Sequence, residues 1–127
     1  MAIKFNVIER GQPGVAGGGE KKFYASAVSD GELSLEGLTK SIERSSTVNG
    51  ADIRAVLYAL VDIMSDGLSD GKIVRLGDLG SLRVSISSEG CSTADEVSHY
   101  SIQGSKVIFT PGKKIKDMLS TLQYQKA

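Results

Sequence analysis

The chain has 127 residues, 40% apolar and 24% charged, with fifteen basic residues against fifteen acidic ones. This is ordinary globular composition for one domain, and zero net charge argues against a protein that coats nucleic acid by bulk electrostatics. No run of eighteen apolar residues exists, residues 1 to 10 lack the apolar segment of an export signal, and Cys91 is alone. A cytoplasmic chain with no membrane span and no internal disulfide is therefore expected. The charge is unevenly spread: residues 85 to 105 carry three acids and no base, whereas 106 to 127 carry five bases and one acid.

Residues 3 to 8, Ile-Lys-Phe-Asn-Val-Ile, alternate apolar and polar and predict a strand; Lys22-Phe23-Tyr24-Ala25-Ser26-Ala27-Val28 predicts a second. The stretch between them, residues 11 to 19, is too rich in glycine to hold one conformation and reads as a flexible hairpin connection. A phosphate-binding loop would need a helix directly after the glycines, and Glu20-Lys21-Lys22-Phe23 leads into a strand instead.

Ser34 is placed to cap a helix over residues 35 to 45, with Leu35, Leu38 and Ile42 on one face. Asn49, with Asp52 three residues on, opens a second helix that runs to about Leu68. Ile53, Val56, Leu57, Leu60, Val61, Met64 and Leu68 form its stripe, and Ala55, Tyr58, Ala59 and Ile63 widen it until only Arg54 and Asp62 interrupt residues 53 to 64. A helix apolar nearly all round must be covered on more than one side. A homodimer in which it packs on its mate is expected; the alternative is a monomer covered by the amino-terminal hairpin.

Val74 and Leu76, then Leu82, Val84 and Ile86, alternate with polar or small residues on either side of a turn at residues 77 to 80, the pattern of a hairpin with one buried face. Residues 87 to 100 are polar and acidic, with a capping-box spacing at Thr93 and Glu96. Lys106-Val107-Ile108-Phe109 returns as a strand. Thr110 and Pro111 open a last helix, with Ile115, Met118, Leu119 and Leu122 on its apolar face.

Lys113, Lys114 and Lys116 occupy the first turns of that helix, where the helix dipole favours acids. Cations there, beside free backbone donors, are a phosphate cradle or else a solvated basic face. No catalytic set emerges. His99 is the only histidine and has no orienting third group with Cys91, while Asp62, Asp66 and Asp70 are spaced unlike a calcium loop. No enzyme activity, cofactor, metal or small-molecule substrate is expected. A helix-turn-helix reading of the two early helices fails because residues 53 to 64 are too apolar for a wet major groove.

Val74-Arg75-Leu76-Gly77-Asp78-Leu79-Gly80-Ser81-Leu82-Arg83-Val84 is similar to the hairpin signature of the HU/IHF family of bacterial histone-like DNA-binding proteins. Phe109-Thr110-Pro111-Gly112-Lys113-Lys114-Ile115-Lys116-Asp117 is similar to that family's entry into its last helix. The element order over residues 34 to 123 agrees. The resemblance implies an α+β intertwined dimer, with two amino-terminal helices, a three-stranded antiparallel sheet with an arm, and a carboxyl-terminal helix. Residues 34–127 form that domain, and residues 1–33 add an amino-terminal β-hairpin like that of HU-related proteins of Bacteroidetes.

The resemblance makes double-stranded DNA the partner and the nucleoid the location. It makes Lys113 and Lys116 phosphate contacts, with Lys114 beside them. It puts Ser85 and Ser87 at the arm base, and Arg83, Arg75 and Lys106 as positive charge nearby. The proposed mechanism is non-catalytic, with counterion release at phosphates and preference for deformable DNA, bent rather than read. Asp78 stands where the family has its first hairpin glycine, and residues 87 to 100 lack the family's arm arginines and intercalating proline. Those departures motivate the second reading, in which the fold serves as a protein-interaction or structural module.

Overall fold

The computed structural model describes all 127 residues and is an α+β chain of three α-helices and two three-stranded sheets. In chain order the elements are β1 (Ile3–Arg10), β2 (Lys22–Val28), α1 (Leu35–Ser45), α2 (Gly50–Ser69), β3 (Val74–Arg75), β4 (Gly80–Ser88), β5 (Ile102–Pro111), α3 (Lys113–Ser120) and β6 (Tyr124–Lys126). They divide into two compact units, residues 1–38 with 119–127, and residues 39–118. No helix is long and apolar enough to cross a membrane.

The first unit holds the sheet β2-β1-β6. β1 and β2 pair antiparallel from Lys4 opposite Val28 to Arg10 opposite Lys22. The glycine-rich connection, expected to hold no single conformation, closes on itself. The Gln12 N–H donates to the Gly18 carbonyl at 2.6 Å and the Gln12 side-chain amide to the Glu20 carbonyl at 3.1 Å. The expected two-stranded hairpin is corrected to a mixed sheet, because β6 adds parallel to the free edge of β1 with Ile3 beside Tyr124 and Phe5 beside Lys126. The Ile3 N–H donates to the Gln123 carbonyl and the Ala127 N–H to the Phe5 carbonyl, so both ends of the short strand are tied.

Helix starts follow the capping residues. The Gly37 N–H donates to Ser34 Oγ at 3.1 Å ahead of the second turn of α1. Asn49 accepts from the Asp52 N–H at 2.9 Å and its amide donates to the Asp52 carboxylate at 3.0 Å, a reciprocal cap that satisfies one of the orphan donors of α2. Inside α2 only Ile53, 5% exposed, is a buried apolar side chain, and it is the only one in the chain. Val56, Tyr58, Val61 and Ile63 remain 58 to 69% exposed.

The second unit holds the antiparallel sheet β3-β4-β5. Leu82 pairs with both Val74 and Phe109, Val84 with Val107, and Ile86 with Ser105. These residues share one face, and Leu82, Val84 and Val107 line an open cleft of about 590 Å³ with Val61, Met64 and Leu68 of α2.

The last helix is shorter than its periodicity implied. It starts at Lys113, not at Pro111, and ends at Ser120, so Leu122 lies beyond it. Pro111 instead pairs with Gly80 at the end of β5, where a residue lacking an N–H is tolerated.

Candidate nucleic-acid interface

Strand alternation assigns every other residue of β3, β4 and β5 to the face turned away from the apolar cleft. On that face Arg75 lies opposite Ser81, Ser81 opposite Thr110, Arg83 opposite Ile108, Ser85 opposite Lys106 and Ser87 opposite Gly104. Five residues expected at the site from sequence, Arg75, Arg83, Ser85, Ser87 and Lys106, thus share one face of one sheet. Arg83 and Lys106 are diagonal neighbours on it, about 7–8 Å apart at the backbone. Arg75, Arg83 and Lys106 are all exposed, while Ser85 is half-buried beside its lysine. No acid occupies this face of the three strands.

The two sequence motifs are pinned to one another. Leu76 leads into a single 3₁₀ turn over residues 77 to 79, and its N–H donates to the Gly80 carbonyl at 2.8 Å. The Gly112 N–H donates to the Leu79 carbonyl at 3.0 Å, which fastens the start of α3 to the β3–β4 turn. A Cβ at Gly80 would run into the Thr110 carbonyl, and one at Gly112 into the Asp78 carbonyl. The close backbone approach explains why both positions are glycine. Gly77, at φ 62°, takes the left-handed conformation, so Asp78 is spared it.

That junction places Lys113, Lys114 and Lys116 directly after the sheet. All three are exposed, and the first turn of α3 carries no acid. The Lys116 N–H is used by the Gly112 carbonyl within the helix. A cleft of about 280 Å³ beside the junction is lined by Arg75, Ser81, Thr110 and the backbone of Gly77, Gly80 and Gly112. The arrangement offers an anionic backbone a row of side-chain cations with donors nearby, and nothing in it resembles a catalytic pair.

The connection from β4 to β5 is folded rather than an extended arm. A register shift between Ser87 and Ser88 ends the regular ladder, and the Glu89 N–H donates to the carbonyl of Ser101, itself 3% exposed. The capping box expected at Thr93 is absent: Thr93 makes no side-chain cap to its 3₁₀ turn over Ala94–Glu96. Ser98 has it instead, accepting from the Tyr100 N–H while Ser101 Oγ accepts from the Ser98 N–H. His99 and Tyr100 stack with ring centroids 4.0 Å apart, and Cys91 Sγ lies 3.8 Å from Ser101 Oγ, a structural setting for the lone thiol.

A three-stranded sheet with an apolar and a basic face, fed by a two-helix lead and closed by a short basic helix, defines an HU-like domain. Residues 1–126 match the HU-HIG family, described as an HU domain fused to a wHTH, Ig or glycine-rich motif, and the chain belongs to that family. The match includes the amino-terminal sheet as well as the helices and hairpin.

Among solved structures the chain is similar to a Bacteroides vulgatus protein described as a "Putative bacterial DNA binding protein". The two share 12% identity and a TM-score of 0.65 over 98% of this chain and 48% of that one. The likeness is one of fold, and the chain spans about half the length of that relative. No curated protein matches the sequence.

Proposed function

We propose that this chain is a non-sequence-specific architectural DNA-binding protein that works as a homodimer, a nucleoid-associated role in the cell. The observation that carries the reading is the sorting of the β3-β4-β5 sheet into an apolar face toward α2 and an acid-free face bearing Arg75, Arg83 and Lys106. Lys113, Lys114 and Lys116 extend that charge as phosphate contacts, and Ser85 and Ser87 add short hydrogen-bonding side chains of the kind that contact phosphate and sugar.

The energetics of α2 support the homodimer. Burying a Val or Ile side chain stabilises by roughly 1.5–3 kcal/mol, and α2 leaves Val56 and Ile63, which share one side of the helix, more than half exposed in the single chain. A second copy of the same helix covers them with a matching surface. The family membership and the relative described above support the DNA assignment.

Anisotropy of the protein on intact and nicked duplexes of about 35 base pairs tests the reading. Engagement of half the six cations of each protomer gives a dimer about six neutralised phosphates, so affinity should fall about 10³-fold between roughly 50 and 200 mM salt. Nicked duplex should bind tighter because it bends at lower cost. The double substitution Lys113→Glu, Lys116→Glu should abolish most of the affinity, and unchanged binding would remove α3 from the contact surface.

A protein-interaction module is the second reading, favoured by the folded β4–β5 connection. It exposes Val97 and Tyr100 among Glu89, Asp95 and Glu96. A confirmed dimer that fails to bind any duplex at about 50 mM salt would decide for it.

A further inference from the structure

We infer that the β2-β1-β6 sheet carries a second phosphate-binding surface for double-stranded DNA, formed by Lys4, Arg10 and Lys22. Alternation along β1 sends Lys4, Asn6, Ile8 and Arg10 to one face and Ile3, Phe5, Val7 and Glu9 to the other. The antiparallel register adds Lys22, Tyr24, Ser26 and Val28 to the first face, with Val28 opposite Lys4, and the parallel pairing with β6 adds Gln125 beside Lys4. The three cations of the β1–β2 ribbon therefore share a face, and its one acid, Glu9, sits on the opposite one.

Arg10 and Lys22 are direct cross-strand partners. Like charges in that position repel, and a strand surface kept for stability alone would place an acid across from the arginine. All three cations are exposed, and none makes an ion pair or side-chain hydrogen bond within the chain. An external anion is what the arrangement lacks.

Ile8, Tyr24 and Val28 on this face are half-buried, and the hydrogen-bonding groups beside the cations suit a nucleic-acid backbone. Asn6 lies opposite Ser26, and Gln125 flanks Lys4, all short or flexible hydrogen-bonding groups. Lys4 and Arg10 are six residues apart on one strand, about 20 Å, which is the axial rise of roughly six base pairs. Duplex rather than single-stranded DNA is indicated by the aromatic residues. Stacking of unpaired bases needs exposed rings, and the exposed ones, Phe23 and Tyr124, lie on the opposite face, while Tyr24 on this face is half-buried beside Ile8.

The inference rests on the DNA-binding reading above, and one set of titrations separates the two. Salt slopes of duplex binding are measured for the full chain, for Lys4→Gln/Arg10→Gln/Lys22→Gln, for the hairpin double Arg83→Gln/Lys106→Gln, and for Lys126→Gln, which removes a charge from the opposite face of the same sheet. The triple variant is expected to lower the slope by about 0.9 for each phosphate that it no longer neutralises, and Lys126→Gln to leave it in place.

An unchanged slope in the triple variant, with a reduced one in the hairpin double, overturns the second surface and leaves the first. An equal reduction per charge in Lys126→Gln also overturns it, since bulk charge would then be the cause. Absence of binding by the wild type overturns both readings. Should the triple variant lose its circular dichroism signature, Lys4→Gln alone, at the far end of the sheet from the like-charge pair, carries the test with an expected slope change of about 1.8, one phosphate contact from each protomer of the dimer.

Discussion

Gly80 carries two constraints at once: φ of 139°, and backbone so close to Thr110 that no Cβ fits between them. Gly71 shares only the first kind, with φ 79° and open space around it. Gly71→Ala is expected to cost about 1 to 2 kcal/mol, the usual penalty of a left-handed residue with a side chain. Gly80→Ala should cost more, because the junction that fastens β4 to the start of α3 must also separate. Urea midpoints at constant m-value measure both, and a Gly80→Ala midpoint equal to or above that of Gly71→Ala would show that the junction yields without cost. At this scale the sequence was informative where a side chain acts locally, as with Asn49 and Ser34. It was silent on Gly112, whose role depends on a carbonyl more than thirty residues away.

At the scale of elements, α2 leaves large apolar side chains exposed in the single chain, the surface assigned above to the proposed dimer. Val56→Asp or Ile63→Asp, seven residues apart on one side of α2 and more than half exposed, puts a charge into the face proposed to meet a second copy, and is expected to convert the proposed dimer to monomer with loss of cooperative unfolding. Sedimentation velocity checks it; a variant that remains dimeric would place the mate elsewhere.

The helices α1 and α2 were legible because caps and a 3.6-residue period agree over three to five turns, and β1, β2 and β4 because alternation persists over seven to nine residues. β6 was not, since three residues cannot display a period and its pairing depends on a partner at the other end of the chain. The start of α3 was misplaced for a related reason: Pro111 opens helices by local preference, but here the register with Gly80 holds it in the sheet. The basic residues of the candidate site were legible as types. Their common face was not, because it depends on the β3–β4–β5 register, which the sequence does not spell out.

Taken whole, a chain with no net charge keeps a basic carboxyl-terminal portion and an acidic β4–β5 connection, so its field is patterned although its sum is zero. If folding is linked to the proposed association, the melting temperature rises with protein concentration, because mass action favours a dimer. Calorimetry over a hundredfold range of concentration checks this, and a constant melting temperature would mean that each chain folds to completion alone. The parallel pairing of β1 with β6 has a consequence for biosynthesis. Ile3 leaves the ribosome about 120 residues before Tyr124, on the order of 6–24 s earlier at ordinary elongation rates. Throughout that interval β1 lacks its β6 partner, so the three-stranded sheet is completed only when the last residues of this segment have been made.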